Sequence, residues 1–278
     1  MLADSVDLDA CRVLSAKHGL PLDFVVKEFR VFDALGELAG FNSSEADGEL
    51  VFKGGTALNK IFLAGSQRFS EDLDFDLASI RGVKEAWKFV ERIGKSMEGK
   101  GFEPRGIRKL GRREPSLQVE LGFDSPLGKK DFVRLDFALK HGIAEKDVAT
   151  GLTARSSFTE RTVAGLRAYS LDGLVARKTC ALASRCEGKD VFDVVQSLPL
   201  ASEALPAVTK RMLAAEKSSL TVKQLFSRAA QVLREANYSE LRNRVNPYLP
   251  LALRPKDAAA WRGLALTLAG KMDELSGV

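Results

Sequence analysis

The sequence predicts an α+β fold, a mixed sheet with flanking helices over residues 1–165 followed by a helical region over 166–278. Three observations predict it. "DLDFDL", Asp72 to Leu77, alternates acid with Leu or Phe, the period of a half-buried strand. "SLQVELGF" and "FVRLDFAL" bracket the turn-rich "DSPLGKKD", as the arms of an antiparallel hairpin would. From Ser170 onward helical periodicity takes over, punctuated by Pro199, Pro206, Pro247, Pro250 and Pro255.

In chain order, "LPLDFVVKEFRVFDALGELAG" places Phe24, Val25, Phe29, Phe32 and Leu35 on one helical face, and Gly40 reads as its stop. "SSEADGELVF" then turns into a short strand ending near Phe52. "TALNKIFLAG" fits a helix entered through Gly54-Gly55, and "DLDFDL" follows as the next strand. "VKEAWKFVERIGKSMEGKG" is a further helix closed by glycine. The mixed front gives way to the helical back between Thr162 and Ser170, where "SLDGLVARKTCALASRC" and "KDVFDVVQSL" begin a helical series ending in "WRGLALTLAGKMDEL".

With 278 residues, 45% hydrophobic and 28% charged, the chain has the composition of one large or two modest globular domains. No stretch reaches the about 18 uninterrupted apolar residues of a membrane span, and the N-terminus has no basic region before an apolar core, so a cytoplasmic, non-membrane protein is expected. Cys11, Cys180 and Cys186 form no Cys-x-x-Cys pair, and His18 and His141 are the only histidines. Reduced thiols and no zinc site are therefore expected. The net charge of +5 falls wholly from Ala201 onward, where it could attract a polyanion.

The chemistry concentrates in "FKGGTALNKIFLAGSQRFSEDLDFDL", Phe52 to Leu77. Asp72, Asp74 and Asp76 share parity, so a strand points all three to one face, about 7 Å between successive members. Like charges gathered this way repel and raise one another's pKa unless a cation neutralises them. Magnesium, held by oxygen ligands and substrate phosphates, answers that need; a solvated face near a sheet edge is the plain alternative. Gly54-Gly55 lets the backbone approach a ligand at a helix N-terminus suited to phosphate, and Thr56 can cap that helix or donate to phosphate. A third carboxylate for two-metal transfer is best supplied by Asp136 in "FVRLDFAL", on a strand expected beside "DLDFDL", with Glu120 as its rival.

Lys178 falls on the apolar stripe of Leu171, Leu174, Val175 and Leu182, so its ammonium must snorkel or find an anion: nucleotide phosphate, Asp190 or Asp193. Lys53 and Arg68 flank the same cleft and could meet phosphate or be solvated charges. Ser70, two residues before Asp72, stands at its mouth; as a turn hydroxyl it is unremarkable, while modification there would set negative charge against the carboxylates. Lys100, Arg105, Arg108, Lys109, Arg112 and Arg113 make a basic stretch that could follow an RNA backbone or be a solvated loop.

"KGGTALNKIF" followed by "RFSEDLDF" resembles the signature of the AbiEii/AbiGii toxin-type nucleotidyltransferases, a branch of the DNA polymerase beta-like superfamily. "VVKEFRVFDAL" is similar to that family's first helix, and "SLDGLVARKTCALASRCEGKDVFDVVQSL" to its second half, so the likeness runs from about Val25 to Leu198. It implies a nucleotidyltransferase-like fold in which Gly54, Gly55 and Thr56 hold a triphosphate and Asp72, Asp74 and Asp136 hold Mg2+ or Mn2+. Lys178 would be the second-half lysine, with Asp190 and Asp193 as the paired acids. The implied activity is that of a bacterial toxin moving NMP from an NTP to an RNA acceptor, the tRNA 3′ end foremost, which would block translation and growth; a cognate antitoxin is the implied partner. A protein or small-molecule hydroxyl as acceptor, or a non-catalytic RNA- or antitoxin-binding module, are the alternatives. Asp76 is an acid beyond the family pattern, and the gap from the glycines to the aspartates is a residue or two long.

Overall fold

The structure, a computed structural model, describes residues 6–44, 50–80, 82–111, 115–140 and 143–277. Two helices, α1 (Leu8–His18) and α2 (Leu22–Ser44), precede strand β1 (Leu50–Lys53) and a short helix α3 (Gly54–Ala57) that continues as a π-helical turn over Leu58–Phe62. Then come β2 (Leu73–Leu77), α4 (Val83–Met97), β3 (Glu103–Leu110), β4 (Ser116–Asp124), β5 (Lys130–Leu139), β6 (Val148–Arg155) and β7 (Thr162–Tyr169). Six helices complete the chain: α5 (Leu171–Arg185), α6 (Gly188–Ser197), α7 (Leu205–Ala215), α8 (Val222–Glu235), α9 (Tyr238–Val245) and α10 (Ala258–Ser276). This is the α+β arrangement that the sequence predicts. The strands form one seven-stranded mixed sheet in the order β3-β4-β5-β2-β1-β7-β6, with β4 and β5 as the expected antiparallel hairpin.

Two expectations change. Gly40 does not stop α2, which runs through it to Ser44. A mid-helix glycine costs about 1 kcal/mol, and the burial of Leu35, Leu38 and Ala39 around it in the sheet core offsets that cost. Residue 165 lies inside β7, and the change from sheet to helices comes at Ser170, which caps α5 by accepting from the Gly173 amide. The main apolar core lies between the sheet, α2 and α4, and a second is enclosed by α5 to α10. Among the described residues no helix is long and apolar enough to cross a membrane.

A ladder of aromatic rings sets the central register. Phe52, Phe75 and Phe137 stand opposite one another on β1, β2 and β5, with ring centroids 5.0 and 5.8 Å apart. Such pairs contribute about 0.5–1.5 kcal/mol each beyond their burial. The residues one step away face the other side of the sheet in the row Lys53, Asp74, Asp136, Gln118. A one-residue slip of β2 would turn its carboxylates into the core and its Phe into water, so the apolar ladder fixes where the acids stand.

Candidate active site

The glycine turn is shaped by the protein's own charged side chains. Gly54 has φ of +77°, and a Cβ there would lie 2.2 Å from an Asp74 carboxylate oxygen. A Cβ on Gly55 would lie 2.4 Å from Arg68 Nη2 and 3.2 Å from Lys178 Nζ. Only glycine allows the turn to sit against both groups. Thr56 is buried and not a cap: its hydroxyl donates to the Asp72 carbonyl and, 2.6 Å away, meets the Ser70 hydroxyl. It lies inside the helix and not ahead of it, so it ties α3 to the start of β2, and Ser70, 9% exposed, is held in the same bond.

Asp74 and Asp136 are register partners on parallel neighbours β2 and β5, and Asp72 stands just before β2. Burial pushes the Asp74 carboxyl up to about 6; Lys53 opposes the rise, and the charges of Asp136 and Asp72 add to it. Asp72 is also raised, first by burial and then by Glu71, with Arg134 opposing at 3.5 Å. Asp136 accepts from Gln118 at 3.0 Å. Among the described residues no cation of the chain forms an ion pair with Asp74. The row offers carboxylate oxygens short of positive charge, the donor set of a hard divalent cation. No three acidic, His or Cys side chains among the described residues already stand in ligating arrangement, so Asp72 would have to turn from Arg134 to complete such a site.

The other two acids have different uses. Asp76 shares the face of Asp74 but is fully buried, paired with Lys53 and accepting from the Tyr169 hydroxyl at 2.6 Å, with Arg177 at 3.9 Å. Asp76, the acid beyond the family pattern, is thus set apart from Asp72 and Asp74 by burial against Lys53, Tyr169 and Arg177. Glu120 lies one strand beyond Asp136 and is balanced by Arg105 and Arg108 at 3.8 and 3.7 Å. Those arginines belong to edge strand β3 and not to a loop; Lys100 pairs with Glu37, and Arg112 and Arg113 lie outside the described residues.

Against the glycines opens a cavity of about 570 Å³, lined by Lys53, Gly54, Gly55, Asp74, Lys140, Arg177, Lys178 and Arg185, with Leu174, Met212 and Leu213 as its apolar wall. Lys178 finds its anions in Asp193 at 2.8 Å and Asp190 at 3.1 Å. Arg68 forms two bonds to Asp193, each 2.8 Å. Burial alone would raise the Asp193 carboxyl, but Arg68 and then Lys178 hold it down at about 2. Arg68, Asp190 and Asp193 are thus buried supports that aim Lys178, with Asn59 of the π turn donating to Asp193 at 2.8 Å. Reading the sequence missed Lys140, Arg177 and Glu216, which bonds to both cations at the cavity rim. Arg177 precedes Lys178 directly; Glu216 lies where no motif points. Also missed were Arg134, whose parity with Asp136 was a usable signal, and Lys189, which directly precedes Asp190.

A family model described as nucleotidyl transferase AbiEii toxin, type IV toxin-antitoxin system, matches residues 38–263. No curated protein matches the sequence. Among solved structures, MenT4, a nucleotidyltransferase toxin from Mycobacterium tuberculosis, is similar with TM-score 0.57 at 16% identity, over 95% of this chain and 89% of that one. JHP933 from Helicobacter pylori is similar with TM-score 0.54 at 18% identity, over 93% of this chain and 97% of that one. Identities this low speak for the fold alone, whereas the family match spans most of the chain and takes in the glycine turn, the aspartates and Lys178. The chain therefore belongs to the AbiEii nucleotidyl transferase family of toxins, those of type IV toxin-antitoxin systems.

Proposed function

We propose that this protein transfers a nucleoside monophosphate from an NTP to the 3′-hydroxyl of an RNA, the tRNA 3′ end foremost, blocking translation until a cognate antitoxin intervenes. The observation that carries the reading is the register pair Asp74 and Asp136, short of internal cations, beside a cationic cavity entered over Gly54-Gly55. Asp72, Asp74 and Asp136 would hold Mg2+ or Mn2+, which supplies charge to lower the hydroxyl's pKa and to steady the leaving oxygen. Lys178, held by Asp190 and Asp193, faces the triphosphate with Lys53 and Arg177 nearby. The O3′–phosphorus bond forms as the bond from the α-phosphorus to its bridging oxygen breaks. The electron pair leaves on pyrophosphate, and the hydroxyl proton passes to the Asp136 carboxylate.

Each α-labelled NTP incubated with the protein, magnesium and deproteinised RNA tests this reading. Label is expected in RNA at its 3′ end. Label in protein would move the acceptor to a protein hydroxyl, and no label with intact metal binding would leave a binding module.

A further inference from the structure

The cavity accounts for the Asp74 end of the carboxylate row. The Asp72 end carries its own cations, which the triphosphate does not use. Lys189 lies in the first turn of α6, where the helix dipole disfavours a cation. Burial and then Arg68 lower its pKa, while Glu71 and Asp72 oppose. Among the described residues it has no carboxylate partner within ion-pair distance, and its ammonium rests 3.5 Å over the Tyr248 ring. That ring is itself packed on Phe24 at 5.2 Å, and Phe24 on Phe69 at 4.3 Å, a rigid floor for the cation. Arg134, on the other flank of Asp72, has a buried Nε with no hydrogen-bond partner among the described residues. A half-buried lysine against a helix dipole, within the field of Asp72 but unpaired with it among the described residues, and an orphaned guanidinium nitrogen on the arginine 3.5 Å from that carboxylate are local costs that an anion would relieve.

In-line displacement requires the attacking oxygen and the leaving pyrophosphate on opposite sides of the α-phosphorus. With the triphosphate in the cavity at the Asp74 end, the hydroxyl must enter from the Asp72 end. Building on the transfer reading above, we infer that Lys189 and Arg134 form the subsite for the last phosphate of the acceptor RNA strand, the one preceding its 3′-terminal nucleotide. The strand then leaves toward β3, where Arg105 and Arg108 lie on the same face of the sheet with Glu120, at 3.8 and 3.7 Å, as their one carboxylate partner among the described residues.

Lys189→Met tests this, because it keeps the stem over Tyr248 and removes the charge. Binding of a labelled single-stranded RNA with a free 3′-hydroxyl is followed by anisotropy in EDTA across a salt series, and KM is measured for RNA and NTP separately. The expected result is a Kd for RNA weaker by about tenfold, a log–log salt slope shallower by about 0.7, a raised KM for RNA and an unchanged KM for NTP. Lys189→Arg should restore binding, and Lys189→Met should melt no lower than the parent, since it removes a costly charge. RNA binding and salt slope unchanged in Lys189→Met, or a change confined to the NTP, overturns the subsite. Label found in protein and not in RNA overturns it as well. If the parent binds RNA through Lys189 yet transfers nothing, the subsite stands and the transfer chemistry falls.

Discussion

Asp74 and Asp193 are two carboxylates withdrawn from water within one charged region, and their surroundings drive them in opposite directions. Asp193 is enclosed by Arg68, Lys178 and Asn59 and is held down at about 2. Asp74 has Lys53 and Lys178 near but paired elsewhere, and rises to about 6. Burial penalises both anions alike, so the difference lies in whether the protein supplies the countercharge. Where it does, charge is architecture: Asp193 joins the sheet region to α5 and α6 through Arg68 and Lys178. Where it does not, the missing charge is what the proposed metal ion would supply.

Asp74→Asn should sharpen this contrast most. Transfer is expected to fall about 1,000-fold or more, the usual scale for a residue that acts on the reacting atoms. The apo protein should gain about 1–2 kcal/mol at pH 7, read from urea unfolding, since an uncompensated anion is gone. Loss of both activity and stability would break the comparison.

Asp193→Ala should do the reverse, costing about 3–5 kcal/mol because Arg68 and Lys178 are left as buried, underpaired cations. A variant as stable as the parent in urea would show that this cluster does not hold the two regions together.

Gly54→Ala is expected to lose about 1–3 kcal/mol from its positive φ. Activity should fall further than stability accounts for, because the new Cβ would displace the Asp74 carboxylate 2.2 Å away. Measured kcat and melting temperature separate the two effects.

Much of the site was legible because it is local. Parity placed Asp72 and Asp74 on one face, an acid interrupting an apolar strand picked out Asp136, the two glycines marked a turn that tolerates no Cβ, and the helical stripe showed that Lys178 needed an anion. What parity cannot reveal is cover. Asp76 shares the face of Asp74, yet α5 and Tyr169 close over it, and only the packed structure shows that. Arg68 and Asp193 meet across 125 positions, and the role of Arg68 as a support follows from that contact alone. Gly40 was misread as a stop because propensity was weighed without the burial that carries α2 through it. Tyr248, in a tail with no motif, carries Lys189 only because α6 packs against α9 and the segment after α9 lays the Tyr248 ring on Phe24 of α2.

The pH dependence of stability gives the smallest effect. Folded Asp74 keeps a proton that the unfolded chain releases, so apo stability should fall as pH rises from about 4 to about 6, by about 1–3 kcal/mol. Asp193 contributes stability above the carboxylate's ordinary range and loses it only as pH falls toward about 2. Magnesium should flatten the fall due to Asp74, a change readable in melting temperature across the pH range.

The most direct measurement is the titration of the Asp74 carboxyl carbon by NMR, with and without magnesium. A midpoint near 6 in the apo protein that drops sharply when the ion is added is the predicted result. A midpoint at the ordinary aspartate value, indifferent to magnesium, would contradict the account.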